Sequence, residues 1–462
     1  ASSLDRRTLL TTGLMAGAGA TAALTTGPRH AQAAGSANPL GLDARAAGLK
    51  PVPAGSKGGP DQSAAFQRAV RTAATTGQPL LLAPGRYWIA NIELPSNIHI
   101  IGAPGHTVLS YTGTGSMFRA RDAHNIRLDG IVIDGANRPI SPAKGDALLV
   151  INQCNNVHLA SLTITNSLLN GVSLRLSQAT IADCTIRECG NTGLFSLDAR
   201  DTRILHNVVE HCGNNGIQVW RSDDGEDGTV VTGNTVRHIK DRSGGTGQNG
   251  NGINIFRAND VQVNNNRVTD CTFSAIRGNA ASNIQMVGNH CLRLGEVALY
   301  AEFGFEGALI ANNLIDHAAT GISVTNFNDG GRLAVVQGNL IRNLVLRKHT
   351  IDTRGTGIGV EADTAVLGNV IENAGSYGIA IGWGRYMRDV SATSNIIRKA
   401  RIGIAISDHK AAGSVFVTSN MLAHTPDGAI RMMNHHTPKG PDLARASADR
   451  QTNYTVFGNV TV

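Results

Sequence analysis

A short apolar run, a polar stretch, then Asn-x-[Ile/Val] and a turn: this order repeats from about Gly171 to about Ile430. The runs open at Gly171, Gly193, Gly216, Gly252, Ala275, Ala298, Gly321, Gly357, Gly378 and Gly403, and most steps between them are 21 to 26 residues. Self-similarity at such a period means stacked units, each burying its apolar face against its neighbours. Gly216–Val219, Thr229–Thr232 and Asn234–Val236 illustrate three short strand-like runs within one unit. Units of this length are too short for a four-stranded propeller blade, and they lack the leucine spacing of leucine-rich repeats. The pattern predicts an all-β chain: a parallel β-helix with three strands per coil, successive coils lying about 4.8 Å apart.

The start of the chain departs from this rhythm. Ala65, Phe66, Ala69, Val70 and Ala73 recur at helical spacing, with Asp61 as an N-terminal acceptor and Gly77 as the stop. Such a helix ahead of a solenoid caps its open core end. Strands are expected at 79–82, 86–89, 98–101 and 108–111. Residues 34–60 are a Gly/Pro/Ser-rich connector. Residues 1–33 combine Arg6 and Arg7, a moderately apolar middle and Ala31-Gln32-Ala33, as a removable export signal does. The paired arginines before Leu9 and Leu10 resemble a twin-arginine signal, although Leu9 stands where Phe is frequent. That resemblance implies the twin-arginine translocase as a partner during export and a periplasmic or extracellular mature protein, residues 61–462 forming the capped β-helix.

Asn207, Asn234, Asn266, Asn289, Asn313, Asn339, Asn369, Asn395, Asn420 and Asn459 share one place in the repeat. Asn tolerates a left-handed turn, and stacked amides can bond from coil to coil. A structural column is therefore preferred to a binding strip. Cys184 takes the same place, and Cys189, Cys212 and Cys271 each precede a strand opening by four residues. Cys189 and Cys212 fall in consecutive coils, within disulfide reach, but a stack of buried thiols is favoured. No CxxC or Cys/His spacing points to a metal, and no cofactor motif is present.

Composition refines the partner class. The formal charge is +7, aromatics are 4% of 462 residues, and the basic residues are scattered without aromatic interleaving. That is no nucleic-acid footprint; it is a mild attraction for anionic material such as acidic polysaccharide. Outside the N-terminus no apolar stretch reaches membrane-spanning length.

Together, the entry Asp61–Val70, the run Leu80–Tyr87 with its Pro84-Gly85-Arg86-Tyr87, and the repeats resemble right-handed parallel β-helices of the pectate-lyase-like superfamily. With its leader, the chain is also similar to twin-arginine-exported repeat proteins of unassigned function. The resemblance implies a polysaccharide partner that is bound or processed. Polygalacturonase-like hydrolases carry Asp immediately before the Gly-Ile-x-Ile strand; here those places hold Thr192, Asn215, Asn251, Ser274, Val297, Thr320, Thr356 and Tyr377, and only Asp427, near the end, comes close. The Asp-Pro-His-Asp run of alginate-type epimerases is absent too.

Strand alternation turns both x positions of Gly-Ile-x-Val-x outward. In the middle of the repeat these columns bring candidate binding residues: Gln218, Trp220, Asn254, Phe256, Asn279 and Glu361. Between them stand Arg277, able to pair a carboxylate, Tyr300, able to transfer a proton, and Glu302, able to position a substrate. Two 36-residue units insert loops at one point, before Gly252 and before Gly357, bracketing this stretch. Two readings follow: a polysaccharide-processing enzyme, a lyase before a hydrolase, or a non-catalytic carbohydrate-binding or envelope-scaffold module. A further cluster, Trp383, Arg385, Tyr386, Asp408, His409, His435 and His436, lies towards the end. Asp223–Asp227 reads as an acidic surface loop in preference to a calcium site.

Overall fold

A computed structural model describes residues 40–462, apart from 54, 246, 347–354, 446–448 and 451–452. The export signal and most of the second inserted loop thus lie outside the described residues. Ser63–Thr76 form the expected helix, burying Phe66, Ala69, Val70 and Ala73 and ending on left-handed Gly77, φ 66°. Asp61 accepts the Ser63 N–H at 2.8 Å. The Phe66 ring sits 6.0 Å from that of Phe118, closing the core end. Part of the segment read as a connector is built into this cap. Leu42–Asp43 pair in parallel with Leu80–Leu81, and Ala44 and Leu49 are buried. Leucine and alanine in a Gly/Pro-rich context were enough to fill the cap once the helix offered an apolar face.

Beyond the cap each coil contributes three strands. In one coil Asn215–Glu226 lies on the first face, Val230–Thr232 on the second and Thr235–Ile239 on the third. Coil-to-coil pairing is parallel; among the described residues, antiparallel strand pairs are Met432–Lys439 and Asp449–Val456 near the end, with single antiparallel bridges at Val52–Arg86 and Trp383–Tyr386. On the first face one inward column runs Ile217, Ile253, Ile276, Leu299, Ile322, Ile358, Ile379, Ile404 and Ile430 without losing register. Each such side chain is buried, contributing roughly 1.5–3 kcal/mol. The strand-opening glycines permit this spacing. A Cβ on Gly357 would sit 2.4 Å from the Gly378 carbonyl oxygen of the next coil. Among the described residues no helix is long and apolar enough to cross a membrane.

From Asn207 to Asn420 the asparagine column is buried at the corner between second and third faces, and Asn459 at its end is half-buried. Asn339 shows its chemistry. Its Nδ2 donates to Asn369 Oδ1 in the next coil, 2.9 Å, and to the Ile310 carbonyl in the previous one, 3.1 Å. Its Oδ1 accepts the Asn313 backbone N–H, 3.0 Å, and Asn313 Nδ2, 2.9 Å. One amide therefore ties three coils. The left-handed turn expected at the asparagines lies one residue earlier. The column asparagines are not themselves left-handed. That conformation falls on the residue before each: Asn265, Asn312, Ser394 and Ser419 near φ 55°, or a glycine such as Gly233 or Gly338. The preceding residue makes the turn, so the asparagine amide is free to point inward. All six cysteines are unbridged and buried; burial pushes the Cys184 thiol up to about 12.

Asn339→Ala leaves two buried N–H donors of Asn313 and the Ile310 carbonyl without this acceptor or donor. It is expected to destabilise by roughly 3 kcal/mol or more. Asn459→Ala, at the end of the column, should cost less than half as much, with urea unfolding of both variants as the measurement.

Candidate functional site

The outward columns of the first face stand in the predicted register. Phe195, Gln218, Asn254, Arg277, Tyr300, Ser323, Gly359, Ala380 and Ala405 are paired neighbours in one; Leu197, Trp220, Phe256, Asn279 and Glu302 in the other. What lies over them was not foreseeable. The first inserted loop, instead of only bracketing this stretch, folds across the face. The Gln248 carbonyl accepts Asn215 Nδ2 at 2.8 Å and Asn254 Nδ2 at 3.3 Å, and Gly247 lies against the Arg277 guanidinium. Asn254 and Arg277 are consequently buried.

Beneath that cover the charged groups are engaged with one another. Arg277 Nε donates to Glu302 Oε1 at 2.5 Å, and its Nη1 lies 3.6 Å from Glu296 Oε2. Asn279 Nδ2 donates to the same Glu302 oxygen at 2.8 Å. Arg277 also lies over the Tyr300 ring, 5.0 Å from its centroid. Burial, with the Glu302 charge adding to it, pushes the Tyr300 phenol up to about 12. At neutral pH this phenol keeps its proton and acts as a donor. Gln218 is buried too, accepting the Thr192 hydroxyl at 2.7 Å. Trp220 and Phe256 are half-buried members of an edge-on ring stack with Phe195, centroids 5.8 and 5.6 Å apart.

The open part of the face begins where this cluster ends. A cleft of about 350 Å³ has a floor of Ser323, Gly359, Ala380 and Ala405. Tyr300 and Glu296 stand at one side, Glu361, Tyr377, Trp383 and His435 around the rest. Glu361 Oε2 accepts the Phe327 N–H at 2.8 Å. Trp383 packs edge-on between His435 and His436, both centroids at 4.8 Å, and Tyr377 Oη lies 3.4 Å from His436 Nδ1. So the structure joins part of the C-terminal cluster to Tyr300 and Glu361, which the sequence placed elsewhere. Glu296, Tyr377 and the small floor were missed as site residues. One signal was present: Ser, Gly, Ala, Ala in a column bounded by Tyr300 and Arg431. Asp408 and His409 lie in an exposed turn outside the cleft.

Comparison with known proteins agrees with this architecture. The family model described as right handed beta helix region matches residues 96–236 and 224–397. The chain belongs to the right-handed β-helix family. The N-terminal fragment of bacteriophage phi29 gene product 12 is similar over 85% of this chain and 68% of that one, with TM-score 0.51 and 16% identity. Pre-mature gene product 12 of the same phage gives 0.50 at 16% identity over 86% of this chain. This β-helix spans only 55% of that protein's length. The catalytic unit of an α-1,3-glucanase from Streptomyces thermodiastaticus is more distant: TM-score 0.45, 12% identity, 94% and 70% coverage. At these identities the likeness is one of fold.

Among the described residues no three Asp, Glu, His or Cys side chains converge as metal ligands. Asp223, Asp224 and Glu226 are exposed, but Asp227 is buried, its Oδ1 accepting the Thr229 N–H at 3.1 Å. Burial raises the Asp227 carboxyl to about 6. Below the unfolded value near 3.8 both states are protonated and nothing is lost. As pH rises through 6 the fold must hold a buried carboxylate, a cost of roughly 2–3 kcal/mol above pH 7. Asp227→Asn retains the acceptor for Thr229. It should therefore stabilise the protein by about that amount at pH 7–8, with the gap closing below about pH 4 in thermal melts.

Proposed function

We propose that this protein is exported and grips a polysaccharide along its first face, with the cleft between Tyr300 and Trp383 as the principal seat. The observation that carries the reading is a floor of small side chains edged by rings and oxygen acceptors. Tyr300, Tyr377 and Trp383 offer faces for the C–H surfaces of sugar rings. Glu296 and Glu361 accept hydroxyl donors, and Ser323, Thr325 and Ser407 add both donor and acceptor capacity. A volume of about 350 Å³ falls within the span of small-ligand clefts. The Phe195–Trp220–Phe256 stack extends the same face towards the N-terminus and supplies a secondary contact for a long chain.

A binding role is favoured over a lyase. Lyase chemistry needs a cation to neutralise the substrate carboxylate and a base to remove the adjacent proton. Arg277, the candidate cation, faces Glu302 and Glu296. Tyr300, the candidate base, holds its proton up to about pH 12, which suits donating a hydrogen bond.

Retention on a panel of neutral and acidic polysaccharides tests the reading. Trp383→Ala or Tyr377→Ala should weaken binding at least tenfold, and Trp220→Ala or Phe256→Ala about two- to threefold. Ultraviolet absorbance of unsaturated products should stay flat throughout. No retention on any polysaccharide would sink the proposal; an absorbance rise abolished by Tyr300→Phe would replace binding with elimination chemistry.

A further inference from the structure

Each column asparagine is followed by one outward residue at the edge of the third face. In the last six coils these are Leu314, Leu340, Val370, Ile396, Met421 and Val460, stacked in unbroken register. Leu340, Val370, Ile396, Met421 and Val460 are 40, 39, 39, 45 and 53% exposed. Earlier coils place Thr235, Arg267 and His290 in this same column. The coil itself therefore requires nothing apolar there. Five coil steps make a stripe about 24 Å long, a contiguous exposed apolar surface of the kind that marks a contact site.

The next outward column on the same strands is charged, and its signs alternate: Asp316, Arg342, Glu372, Arg398. Neighbours pair within the chain, Arg342 with Asp316 at 2.8 Å and Arg398 with Glu372 at 3.9 Å. Alternation restricts what can lie on this face. A second copy stacked with its coils in the same order and register sets like charge on like. A two-fold axis running along the strand direction reverses coil order while leaving each column over itself. Placed between the Val370 and Ile396 coils, it sets every odd coil over an even one, so apolar meets apolar along the stripe and, at the two central coils, Glu372 and Arg398 each meet an opposite charge.

We propose that two copies of this chain pair through the third face about such an axis, passing between the Val370 and Ile396 coils. Val370 then meets the counterpart of Ile396, Leu340 that of Met421 and Leu314 that of Val460. Glu372 faces the counterpart of Arg398. The stripe with its charged flank covers on the order of 500 Å² per copy, below the ~800 Å² of a standard interface, which makes the pairing concentration-dependent. Pairing on the third face leaves the cleft of the first face open.

Sedimentation of the full chain from roughly 1 to 100 µM should show monomer passing to twice the chain mass. Val370→Lys combined with Ile396→Lys should abolish the dimer with the melting temperature unchanged. Thr235→Lys, in the same column of an earlier coil, should leave it intact. Glu372→Arg should weaken pairing at least tenfold, and adding Arg398→Glu should restore it; these two variants decide the matter should the lysine pair fail to fold. Monomer at every concentration overturns the proposal, as does a three-chain assembly or a dimer indifferent to the charge variants. A monomer that dimerises only once residues 1–39 are removed would also overturn it, since that segment would then be the occupant.

Discussion

Every coil of this protein must present the same cross-section to the next, and the asparagine column enforces it. A buried corner would leave backbone N–H and carbonyl groups without partners unless something inside satisfied them. The amide does so with one side chain. From Cys184, whose N–H donates to Asn207, to Asn459 the bonds pass from coil to coil at 2.8–3.1 Å. A coil slipped by one residue would break this run and turn its whole inward set to solvent. Register along the three faces follows from that penalty.

Fixed register makes the outside of the molecule a set of columns, and side-chain size within a column becomes shape. On the first face, bulk at Tyr300 followed by Ser323, Gly359, Ala380 and Ala405 carves a cleft into a surface that backbone geometry alone would leave flat. Towards the N-terminus the same column carries Arg277, and there the inserted loop closes over it. The buried cation and the carboxylates of Glu302 and Glu296 neutralise one another, since an unpaired charge under that cover would be costly. The richest chemistry on the face is thus the least accessible, and the accessible chemistry sits on small residues and rings.

The third face shows the complementary use of the same lattice. Its edge column mixes Val132 and Val208 with Thr163, Thr185, Thr235, Arg267 and His290 in the earlier coils and is wholly apolar from Leu314 on, in the same strand pairing. Because the inward columns alone satisfy the fold, the outward ones are free to differ from end to end. A cleft and an apolar stripe can then sit on separate faces without competing for core residues.

Periodicity in the sequence by itself determined the coil, the capping helix over 63–76, the inward columns and the asparagine column. These depend on alternation and on neighbours one repeat away, which spacing reports directly. It also placed Arg277, Tyr300 and Glu302 side by side. Only the tertiary structure decided what covers them and what joins them. The lie of residues 247–251 across the first face depends on contacts such as Gln248 with Asn215 and Asn254. The meeting of Tyr300 with Trp383 and His435 depends on coils three and more steps apart. The burial of Asp227 within an acidic stretch depends on a corner closed by Thr229. Those outcomes rest on side-chain volume and loop path across many coils, and no repeat period carries that information.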